Sequence, residues 1–320
     1  MEKLLIIGDP KGTHSMSALR KYAPENITVW ENDSRHFYTI QQISDKINLA
    51  DTLTDLDMLF DIIIANPPYQ ANTKSSGNTI WDKFVEQSLE LLKPGGHLKF
   101  INPPRWRQPE DALSYIYRDY QLVSLSMHTA KEGKNTFGAD TPYDVYHIEK
   151  VKPYKKTKIR FIDGVKGEYD VTNLPFIPNY MMEFWIEAFD HEGEKLSVYH
   201  SYSHEDRCKH MSKKKTSTHI YPIIQKVTAN GLVYLYSSKK HIHQYDEKVV
   251  LRDQGKPFAQ LDNESGCGKH TIYTLNTSQN VIDFLNSEEY DKIVESVKFS
   301  QRQVFPKPLS FLPLDFINHR

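Results

Sequence analysis

The chain has 320 residues, 39% of them hydrophobic and 12% aromatic, which excludes global disorder and suffices for two domains or one large one. Cys208 and Cys267 are its only cysteines, which excludes a disulfide scaffold and fits a reducing cytoplasm. A net charge of −1 excludes a uniformly basic nucleic-acid binder, but residues 1–150 carry 16 Lys and Arg against 20 Asp and Glu, and the remainder 24 against 21. No apolar run is long enough to span a membrane, and the N-terminus reads as a short strand rather than a signal peptide.

Taken in order, Leu4-Leu5-Ile6-Ile7 predicts the first strand. It runs at once into Gly8-Asp9-Pro10-Lys11-Gly12, a glycine-bearing strand-to-helix loop that lets backbone approach a ligand closely. Ser17 to Tyr22 predicts a helix, and Ile27-Thr28-Val29-Trp30 a second strand ending at Glu31. An acid at that position suits a vicinal diol such as a ribose, with Asp33 as its competitor. Phe37 to Ile47 predicts a helix, and Leu49-Ala50-Asp51 a third strand.

The fourth strand, Asp61 to Ala65, is an apolar run with β-branched residues at its centre, suited to burial on both faces. Asn66-Pro67-Pro68-Tyr69 stops it. The prolines lack N–H groups and have fixed φ, so what remains is a stiff corner offering an amide, exposed carbonyls and an aromatic face. These parts suit one problem, methylation of an exocyclic amino nitrogen. The Asn66 side-chain oxygen and the Pro67 carbonyl can both accept hydrogen bonds from an NH₂ group, localise its delocalised lone pair and aim it. Tyr69 would stack on the flat group being modified.

Thr79 to Leu92 predicts a helix closed by Lys93-Pro94-Gly95-Gly96, and His97 to Ile101 a fifth strand. Asn102-Pro103-Pro104-Arg105-Trp106 then repeats the Asn-Pro-Pro pattern. The order of elements makes it a wall of the substrate pocket, with Arg105 and Trp106 near the target, rather than a second catalytic corner. Ala112 to Tyr120 predicts a helix, Leu122 to Met127 a sixth strand, and Tyr143 to Ile148 a last one preceded by Phe137 to Pro142. Strands alternating with helices over residues 1–150 predict an α/β fold, a doubly wound, mostly parallel seven-stranded sheet. From Val151 the segments become short, aromatic and strand-like, with a helical stretch at 281–299, which predicts a second, mixed α+β domain over 151–320. Lys213-Lys214-Lys215, Lys239-Lys240-His241 and Lys269-His270 are basic clusters suited to phosphates, and Arg252 and Gln254 could read base edges. No residue spacing suggests a metal site; Cys267-Gly268-Lys269-His270 is too small and isolated.

An apolar strand followed by Asn66-Pro67-Pro68-Tyr69, and the helix, Leu-Lys-Pro-Gly-Gly, strand unit at 79–101, resemble the S-adenosylmethionine-dependent amino-methyltransferases. The order of donor loop, catalytic corner and large appended domain resembles the γ arrangement of adenine-N6 DNA methyltransferases in type II restriction-modification systems. The resemblance implies S-adenosylmethionine as cofactor, with Gly8, Asp9 and Gly12 at its methionine part, Glu31 at its ribose and Asp51 near its adenine. Gly12 falls one residue earlier than in that family's loop. It further implies Asn66, Pro67, Pro68 and Tyr69 as catalytic residues, Phe137 as a second aromatic against a flipped adenine, and Lys213, Lys214 and Lys215 on DNA. Double-stranded DNA is then the partner, with a separate restriction endonuclease as an optional one. Alternatives are methylation of RNA or of a protein glutamine, or a non-catalytic nucleic-acid-binding subunit.

Overall fold

The structure, a computed structural model, describes all residues except 1, 10, 12, 32, 51, 55, 69–79, 202, 229, 253–255, 257, 300–305 and 319–320. The chain divides into two compact units, Met1–Leu174 and Pro175–Arg320.

The first unit is built on a nine-stranded sheet. Its strands are β1 (Leu4–Ile7), β2 (Ile27–Trp30), β3 (Asn48–Ala50), β4 (Phe60–Ala65), β5 (Leu92–Asn102), β6 (Gln121–His128), β7 (Tyr143–Glu149), β8 (Thr157–Arg160) and β9 (Lys166–Tyr169), in the order β3-β2-β1-β4-β5-β7-β6-β8-β9. Strands β1 to β5 are mutually parallel and β7 is antiparallel to both neighbours. All seven expected strands are present. The helices are α1 (Thr13–Ala18), α2 (Ser34–Ile43), α3 (Trp81–Leu91), α4 (Tyr115–Asp119) and α5 (Ala130–Phe137). β1 and β2 are buried along their whole length, as their unbroken apolar runs require, and one layer of the core joins Leu4, Ile6, Ile27 and Val29 to Ala18 and Ile40 of the helices.

Two features go beyond the sequence reading. The domain boundary expected after residue 150 falls between Leu174 and Pro175, because β8 pairs with β6 and the β8–β9 hairpin extends the first sheet. Helix α5 was not expected from its sequence. Thr129 accepts a hydrogen bond from the Glu132 backbone N–H while the Glu132 carboxylate accepts from the Thr129 N–H, and Gly138 closes the helix at φ 73°. Thr-x-x-Glu followed by a glycine is the signal that would have found it.

The second unit carries β10 (Tyr199–His200), β11 (Met211–Ser212), β12 (Tyr221–Thr228), β13 (Gly231–Ser237), β14 (Lys248–Arg252), β15 (Ala259–Asp262) and β16 (Gly266–Thr274). They form one mixed sheet ordered β11-β13-β12-β16-β14-β15, with β10 also on β16. Its helices are α6 (Met182–Asp190), α7 (Gln279–Leu285), α8 (Glu288–Ser296), α9 (Pro306–Leu309) and α10 (Leu314–Asn318). Trp185, Val249, Ile272, Val281, Ile293 and Leu309 share its main core. No helix among the described residues is long and apolar enough to cross a membrane.

Candidate active site

The strand order of the first unit reverses between β1 and β4, and the residues that follow these two strands meet there. Registers Ile7↔Trp30 and Ile7↔Ala65 bring the carboxyl ends of β1, β2 and β4 level, so Gly8, Glu31 and Asn66 leave the sheet side by side. The crevice outside such a reversal is where ligands bind in open α/β sheets.

Backbone contacts lock this corner. The Gly8 N–H donates to the Trp30 carbonyl at 3.0 Å, and the Asn66 N–H donates to the Ile7 carbonyl at 2.9 Å. Gly8 has φ 76°, and a Cβ there would stand 2.3 Å from the Asn66 carbonyl oxygen. Only glycine allows both the left-handed conformation and that approach. Pro67 is buried, and Asn66 and Pro68 are half-buried. Of the catalytic candidates, Asn66 and the Pro67 nitrogen lie against the Gly8 turn and Pro68 follows them; Tyr69 lies outside the described residues.

The other expected donor-binding residues divide. Asp9 is 2% exposed, and its carboxylate accepts from the backbone N–H of His14 at 3.0 Å and of Ser15 at 2.8 Å, and from the Ser15 hydroxyl at 2.6 Å. It thus shapes the loop and caps α1. Glu31 is buried at the end of β2, with His36 Nδ1 3.2 Å from its carboxylate. Gly12 and Asp51 lie outside the described residues.

The second Asn-Pro-Pro loop is a different object. Trp106 was expected to wall the substrate pocket, and the structure corrects this: it is fully buried, its Nε1–H donates to the Asp144 carboxylate at 2.8 Å, and its ring lies 4.6 Å from that of Tyr146. Arg107, also buried, grips the same carboxylate through Nε at 2.7 Å and a terminal nitrogen at 3.2 Å. An indole N–H and a planar guanidinium satisfy a carboxylate that could not be buried alone. Arg105 stays half-exposed, 3.3 Å from Asp111 and 3.7 Å from Asp82, with its guanidinium over the Trp81 ring. Asp144, the key to this loop, was not singled out from the sequence; an acid inside the apolar alternation of Tyr143 to Ile148 was the available signal.

Phe137, at the end of α5, is 38% exposed and meets the Tyr143 ring edge-on at 4.9 Å. Tyr143 in turn lies flat on His128, 4.4 Å away and 3° from parallel. His128 ends β6 and Tyr143 opens the antiparallel β7, so this aromatic group stands on the same carboxyl edge of the sheet as Asn66 and Gly8. His128 and Tyr143 were missed in the sequence because their pairing crosses from β6 to β7.

In the second unit Lys213, Lys214 and Lys215 are exposed directly after β11, and among the described residues they form no ion pair. The other basic clusters are partly committed: Lys269 pairs with Glu205, and His241 is buried. Arg252 ends β14; Gln254 lies outside the described residues.

The sequence model of the family described as Eco57I restriction-modification methylase matches residues 12–131. Solved structures also resemble the chain. The methyltransferase subunit of a type I restriction-modification system from Streptococcus thermophilus has 16% identity and a TM-score of 0.38, over 61% of this chain and 49% of that one. The type I restriction enzyme EcoKI M protein has 13% identity and a TM-score of 0.37, over 50% and 44%. The N-methyltransferase NodS from Bradyrhizobium japonicum has 19% identity and a TM-score of 0.35, over 48% and 86%. The chain spans less than half the length of the restriction-modification subunits it matches. Residues 12–131 thus match the sequence pattern of a restriction-modification methylase family, and they lie within the α/β unit built on the nine-stranded sheet.

Proposed function

We propose that this protein methylates the exocyclic N6 of adenine in double-stranded DNA. The observation that carries the reading is the packing of Asn66 and the Pro67 nitrogen against the Gly8 turn at the strand reversal, which supports an amine-gripping corner beside a donor loop. The residues fit the cofactor. Gly8 lets its loop close against the Asn66 carbonyl, where a Cβ would clash, and Glu31 sits buried at the strand end where an acid suits ribose hydroxyls. S-adenosylmethionine supplies, when bound, a methyl group made electrophilic by its sulfonium.

The chain's own part is to raise the nucleophilicity of a poor amine and to aim it. The Asn66 side-chain oxygen and the Pro67 carbonyl accept the two N–H bonds of the adenine amino group, which localises its lone pair as the new bond forms. Two prolines hold those acceptors rigid before substrate arrives, so little reorganisation remains for the reaction. The target adenine leaves the duplex and stacks on aromatic faces, Tyr69 on one side and Phe137 on the other. Phe137 is available for this role because α5 presents it half-exposed on the same sheet edge. The second unit, with its exposed Lys213-Lys214-Lys215 run, holds the flanking duplex through phosphates.

The test is direct. Duplex DNA incubated with the protein and S-adenosylmethionine is digested to nucleosides and analysed by mass spectrometry. N6-methyladenine is the expected product; methylcytosine, or label transferred only to RNA or protein, would refute the reading.

A further inference from the structure

In the second unit, Gln225 lies in β12 where the strand slips register against both neighbours. Pairing with β13 passes from Ile224↔Tyr234 to Lys226↔Val233, and pairing with β16 from Ile224↔Cys267 to Lys226↔His270. A bulge of this kind re-aims one side chain out of the strand's alternation. Gln225 lines a cavity of about 210 Å³ together with Asp206, Met211, Ser212, Lys213 and Leu235. Its side chain is only 7% exposed, and its Oε1 has no hydrogen-bond partner among the described residues. Gly268 on β16 makes room for it: a Cβ there would stand 2.5 Å from Gln225 Oε1.

A buried amide without a partner weakens a fold, and an apolar side chain of similar volume would serve the packing better. Its neighbours say what would complete it. Lys213 both lines the cavity and opens the exposed run Lys213-Lys214-Lys215, which suits the phosphates of a nucleic-acid backbone. Phosphate, itself an acceptor, has no use for the open amide oxygen or for the Asp206 carboxylate. A base edge does, because a carboxamide offers a donor and an acceptor together and a carboxylate accepts from an exocyclic amine. Met211 and Leu235 supply apolar contact for the ring or a methyl group.

Resting on the DNA-methylase reading above, we propose that Gln225 reads the edge of one base pair in the target duplex, with Lys213 on the adjoining backbone. Gln225 is thus a specificity-determining residue, separate from the chemistry in the first unit.

The experiment begins with the methylated motif, obtained by sequencing modified bases in DNA from cells expressing the full chain. Fluorescence anisotropy then measures binding of that duplex and of single-pair variants. Wild type should discriminate at each motif position. Gln225→Leu should lose about 5- to 100-fold of that discrimination at one position only, while its melting temperature stays level or rises. Lys213→Ala should weaken all duplexes alike and lower the salt slope by about one. Unchanged discrimination by Gln225→Leu at every position would overturn the inference, as would a uniform loss with a lowered melting temperature. Should Gln225→Leu fail to fold, Gln225→Glu reads the same question, and an unchanged preference at every pair would again overturn it. Specific binding without methyl transfer by wild type would instead refute the methylase reading, and with the motif then taken from selection of bound duplexes the Gln225 measurement still stands.

Discussion

The tripeptide Asn-Pro-Pro stands at the carboxyl ends of both β4 and β5, and its asparagine is buried to a different depth in each. After β4, Asn66 half-emerges, and its carbonyl is pressed on Gly8. After β5, Asn102 is fully buried and donates to the Tyr146 hydroxyl at 3.3 Å, while Trp106 and Arg107 fasten the loop to Asp144, the register partner of Asn102 on β7. The prolines make both corners stiff. What differs is how deeply each asparagine is buried. The first copy sets its backbone against the Gly8 turn, and the second spends its side chains on holding β5 to β7. A motif of this kind acquires meaning from the strand it follows and from what its successors bury.

That contrast can be broken from either side. The largest effect is expected at the fastener. Arg107→Ala leaves the Asp144 carboxylate buried with the Trp106 N–H but no cation, and should destabilise the first unit by about 3–5 kcal/mol, read from thermal or urea unfolding. A loss within experimental error would mean that Asp144 is not held as an ion pair. The next effect is at the open corner. Gly8→Ala forces a Cβ within 2.3 Å of the Asn66 carbonyl at φ 76°, so the two loops must separate. A displacement near 1 Å should lower kcat/KM about 10²-fold, with a smaller stability loss of about 1–2 kcal/mol from the left-handed backbone. Unaltered kinetics in a folded Gly8→Ala protein would detach this contact from catalysis.

The smallest effect sharpens the view of β5 and β7 as a structural seam. His147 Nε2 lies 3.1 Å from His97 Nδ1 across the two strands. Burial, and then the neighbouring His97, push the His147 pKa down to about 4. The unfolded chain binds this proton near pH 6.5 and the folded one does not, so stability is full above that pH and falls as pH drops toward about 4. His147→Gln should flatten the difference in melting temperature between about pH 7 and about pH 5. His241, also lowered to about 4 by burial, gives the second unit a slope of the same sign, so the comparison is between variant and wild type. Identical slopes would show that His147 does not titrate in this way.

Much of this was legible in the residues. Unbroken apolar runs such as Leu4–Ile7 specify buried parallel strands, and Asn66-Pro67-Pro68 marks where β4 must stop. The rest was hidden for physical reasons. Trp106 reads as a pocket aromatic until Asp144, 38 residues later, is brought beneath it. β8 and β9 read as the start of a second domain because nothing local tells a strand which edge it will join. Asp9 reads as a ligand group, yet its oxygens are taken by the start of α1. Local chemistry announces strands and turns; partners distant in sequence decide which polar groups remain for function.

The most direct measurement sets the two asparagines side by side. Asn66→Ala and Asn102→Ala are compared for methyl transfer to duplex DNA and, by calorimetry, for affinity toward S-adenosylmethionine. Asn66→Ala should lose about 10²–10³-fold in turnover with donor affinity retained, while Asn102→Ala should keep its rate and lose about 1 kcal/mol of stability. Turnover that survives in Asn66→Ala, or donor binding lost along with it, would contradict the account.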